Sequence, residues 1–388
     1  MGRGDAANAV RFADLRAVCD VDDNHAAAAV EQFSIGAKKP DAYKDFRKVM
    51  ERDDIDVIIM ATPDHWHTLV NLAAIKAGKD VYGEKPLTLT ISEGQNMVDA
   101  VQKSGAVFQT GTQQRSSDKF RLACELVRNE RIGKLQEITV WLPAGLREGP
   151  FSTAPVSPGL NWDFWQGQAP KTDFVPQRCH LFFRYWYDYS GGTMTDWGAH
   201  HNDIARWAAD QLGPVSVEGK ALSQPIPGGY TAFADYEVNY TYRNGVRQTV
   251  RTTRGDSIYG SPTETEGEHN GLKFQGSNGW IWVSRSEIKA SDPAFLTTPL
   301  PAGSTRLEVS NDHMGNFFDC VHSRKKPIAD VETGHRSASM CHLGVISMRL
   351  GHKLNWNPYE ELFGGEGAKE ANHYWLAREM RAPYDYTF

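Results

Sequence analysis

Over the first 140 residues, short apolar runs alternate with helix-like stretches, and this alternation constrains the fold more tightly than any other feature. "DVIIMATP" has the continuous β-branched character of a strand buried on both faces. It is followed by "HWHTLVNLAAIKAG", a helix expected to start at an Asp64 N-cap and to close at Gly78. "DVYGEKP", "SEGQNMVDAVQKSG" and "AVFQT" then read as strand, helix and strand. Upstream, "LRAVCDVD" (Leu15 to Asp22) is a strand ending in acids, and "NHAAAAVEQF" and "AYKDFRKVMER" read as helices. Strands separated by helices imply a parallel, doubly wound sheet, here with its first strand truncated.

After Gly133 the pattern changes. "KLQEITVWL" is a strand, Gly/Pro-rich loops run to about Pro176, and a helix follows near residue 200. Next come "ADYEVNYTY", "RQTVRTTR" and "LKFQGSNGWIWVS", the last a hairpin around Ser277 and Asn278. "HMGNFFDCVHSRK" and "SASMCHLGVISMRLG" are later helices. Strands without intervening helices predict an open, mostly antiparallel sheet. The chain is therefore expected to be α/β, with a Rossmann-type domain over residues 1–120 and an α+β substrate-binding and oligomerisation domain over 121–388.

Composition excludes several function classes. A net charge of −6 on 388 residues argues against a nucleic-acid partner, which selects a basic face. No apolar window is long enough for a membrane span. The five scattered cysteines form no C-x-x-C pair, which predicts buried free thiols rather than disulfides or structural zinc. Six of the eleven tryptophans fall between Trp141 and Trp207, where core packing and a platform for sugar rings are both open readings.

A doubly wound sheet binds ligands at the carboxyl ends of its strands. Asp20 ends the "LRAVCD" strand, where a carboxylate accepts hydrogen bonds from adenosine ribose hydroxyls and repels a 2′-phosphate; this points to NAD over NADP. A solvated turn carboxylate is the plainer alternative. The glycine fingerprint belongs about 20 residues earlier, and Gly2 lies eighteen before Asp20. Gly2 is expected to be the third glycine of G-x-G-x-x-G, with the chain starting inside the motif.

"GGTMTDWGAHHNDIARW" places Asp196 and His200 four apart, on one face of a helix. The pair suits a proton transfer, a metal or a structural hydrogen bond. Adjacent His200 and His201 point about 100° apart, and no H-E-x-x-H is present, so no metal is expected. In alcohol oxidation His200 would accept the hydroxyl proton, since a base works best with a pKa near the working pH. Asp196 would orient it or bind a hydroxyl, and the preceding glycines would leave room for substrate. Lys85, at the end of "DVYGEK", would donate to the reacting oxygen and stabilise its developing charge.

Thr62-Pro63 with His67, then Glu84-Lys85-Pro86, then a glycine pair with Asp196, Gly198, His200 and Asp203, together resemble the motifs of the glucose–fructose oxidoreductase, inositol dehydrogenase and rhizopine-catabolism (Gfo/Idh/MocA) family. The resemblance covers nearly the whole chain and departs from the family at the missing glycine fingerprint. It implies a homo-oligomer (dimer or tetramer) transferring hydride between NAD and a carbon of a carbohydrate or cyclitol. It implies Lys85, Asp196 and His200 as catalytic, with Gly2, Asp20, Thr62, Pro63, His67, Glu84 and Lys85 on the cofactor side. Substrate candidates are Gln113 and Arg115 after a sheet strand, Arg184 and Tyr189 before the Asp/His helix, and Trp162 in the tryptophan-rich loop. Surface polarity and core packing are the competing readings of these five, and Asp203 reads equally well as a structural brace. Two other functions remain open: a glycosidase or lyase that oxidises its sugar transiently with no net redox change, and a noncatalytic sugar-binding relative. The expected compartment is the cytoplasm, with a twin-arginine-directed periplasmic location as the alternative.

Overall fold

The computed structural model describes residues 1–386 except 35, 37 and 254–269. Helix α1 (Gly2–Ala9) leads to β1 (Ala17–Cys19), α2 (Asp23–Phe33), β2 (Asp41–Tyr43) and α3 (Phe46–Met50). Strand β3 (Val57–Met60), α4 (His67–Lys76), β4 (Asp80–Gly83), α5 (Ile91–Ser104) and β5 (Phe108–Thr110) follow as successive strand–helix–strand units. Every pairing here is parallel, as expected, but the strands form two sheets, β1-β2 and β3-β4-β5, rather than one. Three of these helices start where a side chain satisfies free N–H groups: Asp22 caps α2, Asp45 caps α3, and Thr90 with Glu93 forms a capping box on α5.

Two local expectations fail. Asp64 does not cap α4; a single 3-10 turn, Asp64–Trp66, intervenes, and the Asp64 carboxylate instead accepts a 2.5 Å hydrogen bond from Ser190 Oγ. Ala42 and Tyr43 belong to β2 rather than a helix, because pairing with β1 competes with helix formation until Asp45 restarts it. Four of the five thiols are buried as expected, whereas Cys19 is exposed.

The second half opens with α6 (Asp118–Arg128), β6 (Leu135–Pro143), α7 (Trp162–Gln166) and α8 (Trp197–Ala209). Strands β7 (Pro214–Ala221), β8 (Tyr236–Tyr242), β9 (Arg247–Thr253), β10 (Gly271–Gly276), β11 (Trp280–Val283) and β12 (Ile288–Ala290) precede α9 (Ala294–Thr297), α10 (His313–Ser323) and α11 (Val331–Leu350). Strands β13 (Leu354–Asn357) and β14 (Leu362–Gly364) and helix α12 (Ala368–Tyr374) finish the chain. One nine-stranded sheet, ordered β12-β11-β10-β6-β9-β8-β7-β13-β14, is antiparallel except for the β6–β9 pair. Along β8 the inward Tyr236, Val238, Tyr240 and Tyr242 alternate with more exposed residues, the pattern of a sheet covered on one face.

Helix α11 joins the halves. It is buried along most of its length and packs on α5 and β5 on one side and on α8 and β7 on the other. Helix α10 also returns to the first half: Met314, Phe317 and Phe318 pack with Ala9, Tyr82 and Val107. A doubly wound sheet needs apolar cover on both faces, and here part of that cover comes from residues some 200 positions downstream. Among the described residues, no helix is long and apolar enough to cross a membrane.

Candidate active site

Strand β4 ends at Gly83, and Lys85 follows it into the junction with α8. Its ammonium lies 2.5 Å from Asp196 Oδ1 and 3.2 Å from the Asp196 carbonyl, with both side chains largely buried. Asp196 occupies the N-cap position of α8 yet makes no side-chain cap hydrogen bond. Its carboxylate is turned to Lys85 and to Arg184 Nε at 3.5 Å. Burial alone would push Asp196 up; the two cations outweigh it and hold the carboxyl below the usual aspartate range.

One turn further along α8, His200 is 5% exposed. Burial first, then the charges of Lys85 and Arg285, press its imidazole well below its ordinary pKa, so it is held neutral. Its Nδ1 has no hydrogen-bond partner among the described residues, and its ring meets Trp197 edge-on at 5.9 Å. His201 turns away and pairs with Asn270 Oδ1 at 2.6 Å. The paired glycines serve close packing rather than open space. A Cβ at Gly191 would lie 2.4 Å from Thr195 Cγ2, and one at Gly192, whose φ is +73°, 2.9 Å from the Ala232 Cβ. The room expected there for substrate is filled.

On the sheet side, Glu84 is buried and accepts from Gln113 Nε2 at 2.9 Å; burial raises its pKa despite Lys85 and Gln113. A Cβ at Gly111 would approach Glu84 Oε1 to 2.4 Å, so only glycine admits this carboxyl. His67 does not face an open site. Its Nδ1 lies 2.6 Å from the Pro86 carbonyl and its Nε2 2.9 Å from that of Thr62, so the ring links the residues following β3 to those following β4. A neutral imidazole can donate to only one of these oxygens and an imidazolium to both. The Thr62 hydroxyl faces Met60 Sδ at 3.2 Å, and Pro63 is the half-buried residue that starts the 3-10 turn. Asp20 sits just past β1, half-buried, with Oδ1 accepting from the Asp22 N–H at 2.9 Å. Gly2 begins α1, where no side chain caps the helix and a Cβ would touch that of Ala61 at 3.4 Å. An uncapped helix N-terminus and a carboxylate past a parallel strand suit a pyrophosphate and a ribose respectively. The residues present therefore fit a dinucleotide.

Three substrate candidates belong to the framework. Arg115 donates through Nε and Nη2 to Asp203 at 2.6 and 2.8 Å and stacks on Trp207 with Cζ 4.7 Å from the ring centroid. Asp203, fully buried, also accepts from Ser337 Oγ at 2.7 Å, so the pair braces α8. Tyr189 is wholly buried against Trp165 and His65. Trp162 stacks on Trp165 and donates its indole N–H to the Thr172 carbonyl at 3.0 Å. Arg184 stays with Asp196, and Gln113 stays with Glu84 and the Tyr82 hydroxyl. Arg285 was not anticipated. It adds positive charge beside His200, and its Cζ lies 4.5 Å from the Trp197 ring centroid. It comes from the β11–β12 connection, and no motif marks it.

A nucleotide-type parallel half that carries a lysine onto the carboxylate–imidazole helix of an antiparallel-sheet half defines an oxidoreductase of the Rossmann class. The chain belongs to the Gfo/Idh/MocA oxidoreductase family: residues 3–112 match its NAD-binding Rossmann fold, and residues 144–386 match its C-terminal alpha/beta domain. Inositol 2-dehydrogenase of Salmonella typhimurium strain LT2 is 31% identical over 129 residues, covering 33% of this chain and 38% of that protein. The chain thus aligns with well under half the length of the first curated relatives. The scyllo-inositol 2-dehydrogenase (NAD(+)) of Bacillus subtilis is 25% identical over 290 residues, 72% of each protein. Among solved structures, levoglucosan dehydrogenase with NADH and levoglucosan superposes with a TM-score of 0.65 at 19% identity, covering 91% of this chain and 95% of that one. The WlbA dehydrogenase of Bordetella pertussis with NADH and UDP-GlcNAcA gives 0.66 at 18%, covering 91% and 94%. Similarity at this level establishes the shared fold.

Proposed function

We propose that this protein is an NAD-dependent dehydrogenase acting on a secondary hydroxyl of a sugar, glycoside or cyclitol. The observation that carries the reading is the 2.5 Å contact between Lys85 Nζ and Asp196 Oδ1, one helical turn from His200. Bound NAD would supply the hydride acceptor, held by α1 at Gly2 and by Asp20. Lys85 donates a hydrogen bond to the reacting oxygen and stabilises its growing negative charge. Asp196 holds that ammonium in place and, with Arg184, accepts or donates to neighbouring hydroxyls. His200, kept neutral by burial and by the cations around it, is free to take the hydroxyl proton, although its lowered pKa makes it a weaker base than the ordinary imidazole the sequence led us to expect. The names of the inositol and levoglucosan dehydrogenases among the relatives favour a polyhydroxylated substrate.

The test is a panel of inositols, levoglucosan and free and glycosidic sugars, with NADH absorbance and product identity followed together. NADH formation with at least one of these supports the reading, and its absence across the panel contradicts it. One observation favours a second reading: a glycosyl hydrolase family 109 protein of a Shewanella strain is 32% identical over 96 residues, 24% of this chain. Glycoside cleavage that requires NAD but leaves no net NADH would replace the dehydrogenase reading with transient oxidation.

A further inference from the structure

Where β1 turns into α2, two carboxylates each commit one oxygen to the backbone and leave the other facing a histidine. Asp20 Oδ1 accepts from the Asp22 N–H at 2.9 Å, and Asp22 Oδ1 accepts from the Asn24 N–H at 2.9 Å, capping α2. Asp22 Oδ2 lies 3.3 Å from His180 Nε2, and Asp20 Oδ2 lies 3.6 Å from His25 Nδ1. The two imidazoles are 4.4 Å apart between centroids and tilted by 53°. His180 comes from the segment that leads to Arg184 and Asp196. Its φ is +51°, a conformation that few non-glycine residues adopt.

Among the described residues, Asp22, His25 and His180 form the one group of three potential metal ligands whose donor atoms all lie within 4.8 Å of one another. The platform beneath them is fixed. The Asp23 N–H donates to the Gly159 carbonyl at 3.1 Å, and the Asn161 N–H donates to the Val21 carbonyl at 3.0 Å. The Asp22 carboxylate is buried, while both histidine side chains are about half exposed and can rotate. Donors around a tetrahedral Zn²⁺ sit roughly 3.3 Å apart. The donor atoms here lie within 4.8 Å of one another, so an ion would draw the two half-exposed imidazoles inward.

We propose that Asp22, His25 and His180 form a binding site for a divalent transition-metal ion of the Zn²⁺ type, which clasps the β1–α2 turn to the segment entering the active site. Two imidazole nitrogens and one carboxylate oxygen select zinc, nickel or copper over magnesium or calcium, which prefer oxygen. Solvent water fills the remaining coordination. The site uses none of the residues assigned to catalysis, and it adjoins the cofactor side where His25 faces Asp20.

The test is calorimetric titration of metal-free full-length protein with Zn²⁺ at neutral pH, with Mg²⁺ as a parallel titrant. The proposal expects one Zn²⁺ per chain that Mg²⁺ does not reproduce. It also expects at least tenfold weaker binding in His25→Ala and in His180→Ala, whose melting temperatures in chelator match the parent. Asp22→Asn retains a residue that caps helices well and should weaken zinc to a similar degree. Because the chain has 13 histidines, the decisive comparison is the His25→Ala/His180→Ala double variant. An isotherm equal to the parent's, or no zinc binding by the parent, overturns the proposal and leaves a hydrogen-bonded Asp22–His180 pair only.

Discussion

Asp196 occupies a position where an aspartate would ordinarily accept from the N–H groups of its own helix, worth about 1 kcal/mol. It forgoes that bond for Lys85 and Arg184. A residue that breaks a local rule in favour of a long-range contact is where a functional or strained site is expected, which agrees with the role proposed for Asp196. Asp20 makes the complementary point on the cofactor side. Its Oδ2 makes no backbone hydrogen bond, and a 2′-phosphate there would meet a carboxylate. Asp20→Ala should therefore narrow the preference for NAD over NADP by at least tenfold in kcat/KM. An unchanged ratio would remove Asp20 from the ribose site. The residue types of the site were legible because Lys85, Asp196 and His200 stand in distinctive strings. Arg285 was not, since nothing local distinguishes an arginine in a hairpin connection from a solvated one. Arg115, Trp162 and Tyr189 stand close to the motifs in sequence, and proximity gives no sign of whether a side chain turns to a cleft or to a buried partner.

Among the elements, α8 and its N-cap carry two of the three groups proposed to react, and the buried Arg115–Asp203 pair ties α8 to the framework. Removing one partner strands the other charge, at a typical cost of about 3–5 kcal/mol. Asp203→Asn should lose stability of that order in urea unfolding and lower kcat by displacing Asp196 and His200 together. A loss under about 1 kcal/mol with normal turnover would show that α8 is held by its apolar packing alone. The strand–helix alternation of the first half was legible because its strands read as unbroken apolar runs, although β3, expected to be buried on both faces, is fully buried only at Met60; the hairpin at Ser277 and Asn278 was legible from its turn residues. The Asp64 cap was misread because Ser190, 126 positions away, competes for the same carboxylate.

The whole molecule keeps several imidazoles neutral inside it. Burial first, with the Arg378 charge adding to it, lowers the pKa of His342 to about 3. The unfolded side chain titrates near 6.5, so the unfolded state takes up the proton first and stability falls as pH drops below 6.5. The slope is about 1.4 kcal/mol per pH unit for one such residue. His342→Gln, which keeps a donor for the Thr88 carbonyl, should lose less stability than the parent between pH 6.5 and 4, by roughly that slope. Parallel stability curves would mean that His342 titrates freely in the fold. The two-part architecture was legible in outline from the change of texture after Gly133. The return of α10 to cover the first half was not, because an apolar helix face does not announce which sheet it covers.

The proposed function requires that Lys85, from the nucleotide half, and Asp196 and His200, from the sheet half, act as one site of hydride transfer. Single-turnover NADH formation by Lys85→Met, at saturating NAD and an active sugar, tests it most directly, with NAD affinity measured on the same sample by tryptophan fluorescence. The expected result is a rate lowered by a factor of about 10²–10⁴, with the NAD dissociation constant changed less than about threefold. A rate close to the parent's, or a loss of NAD affinity as large as the loss of rate, would contradict it.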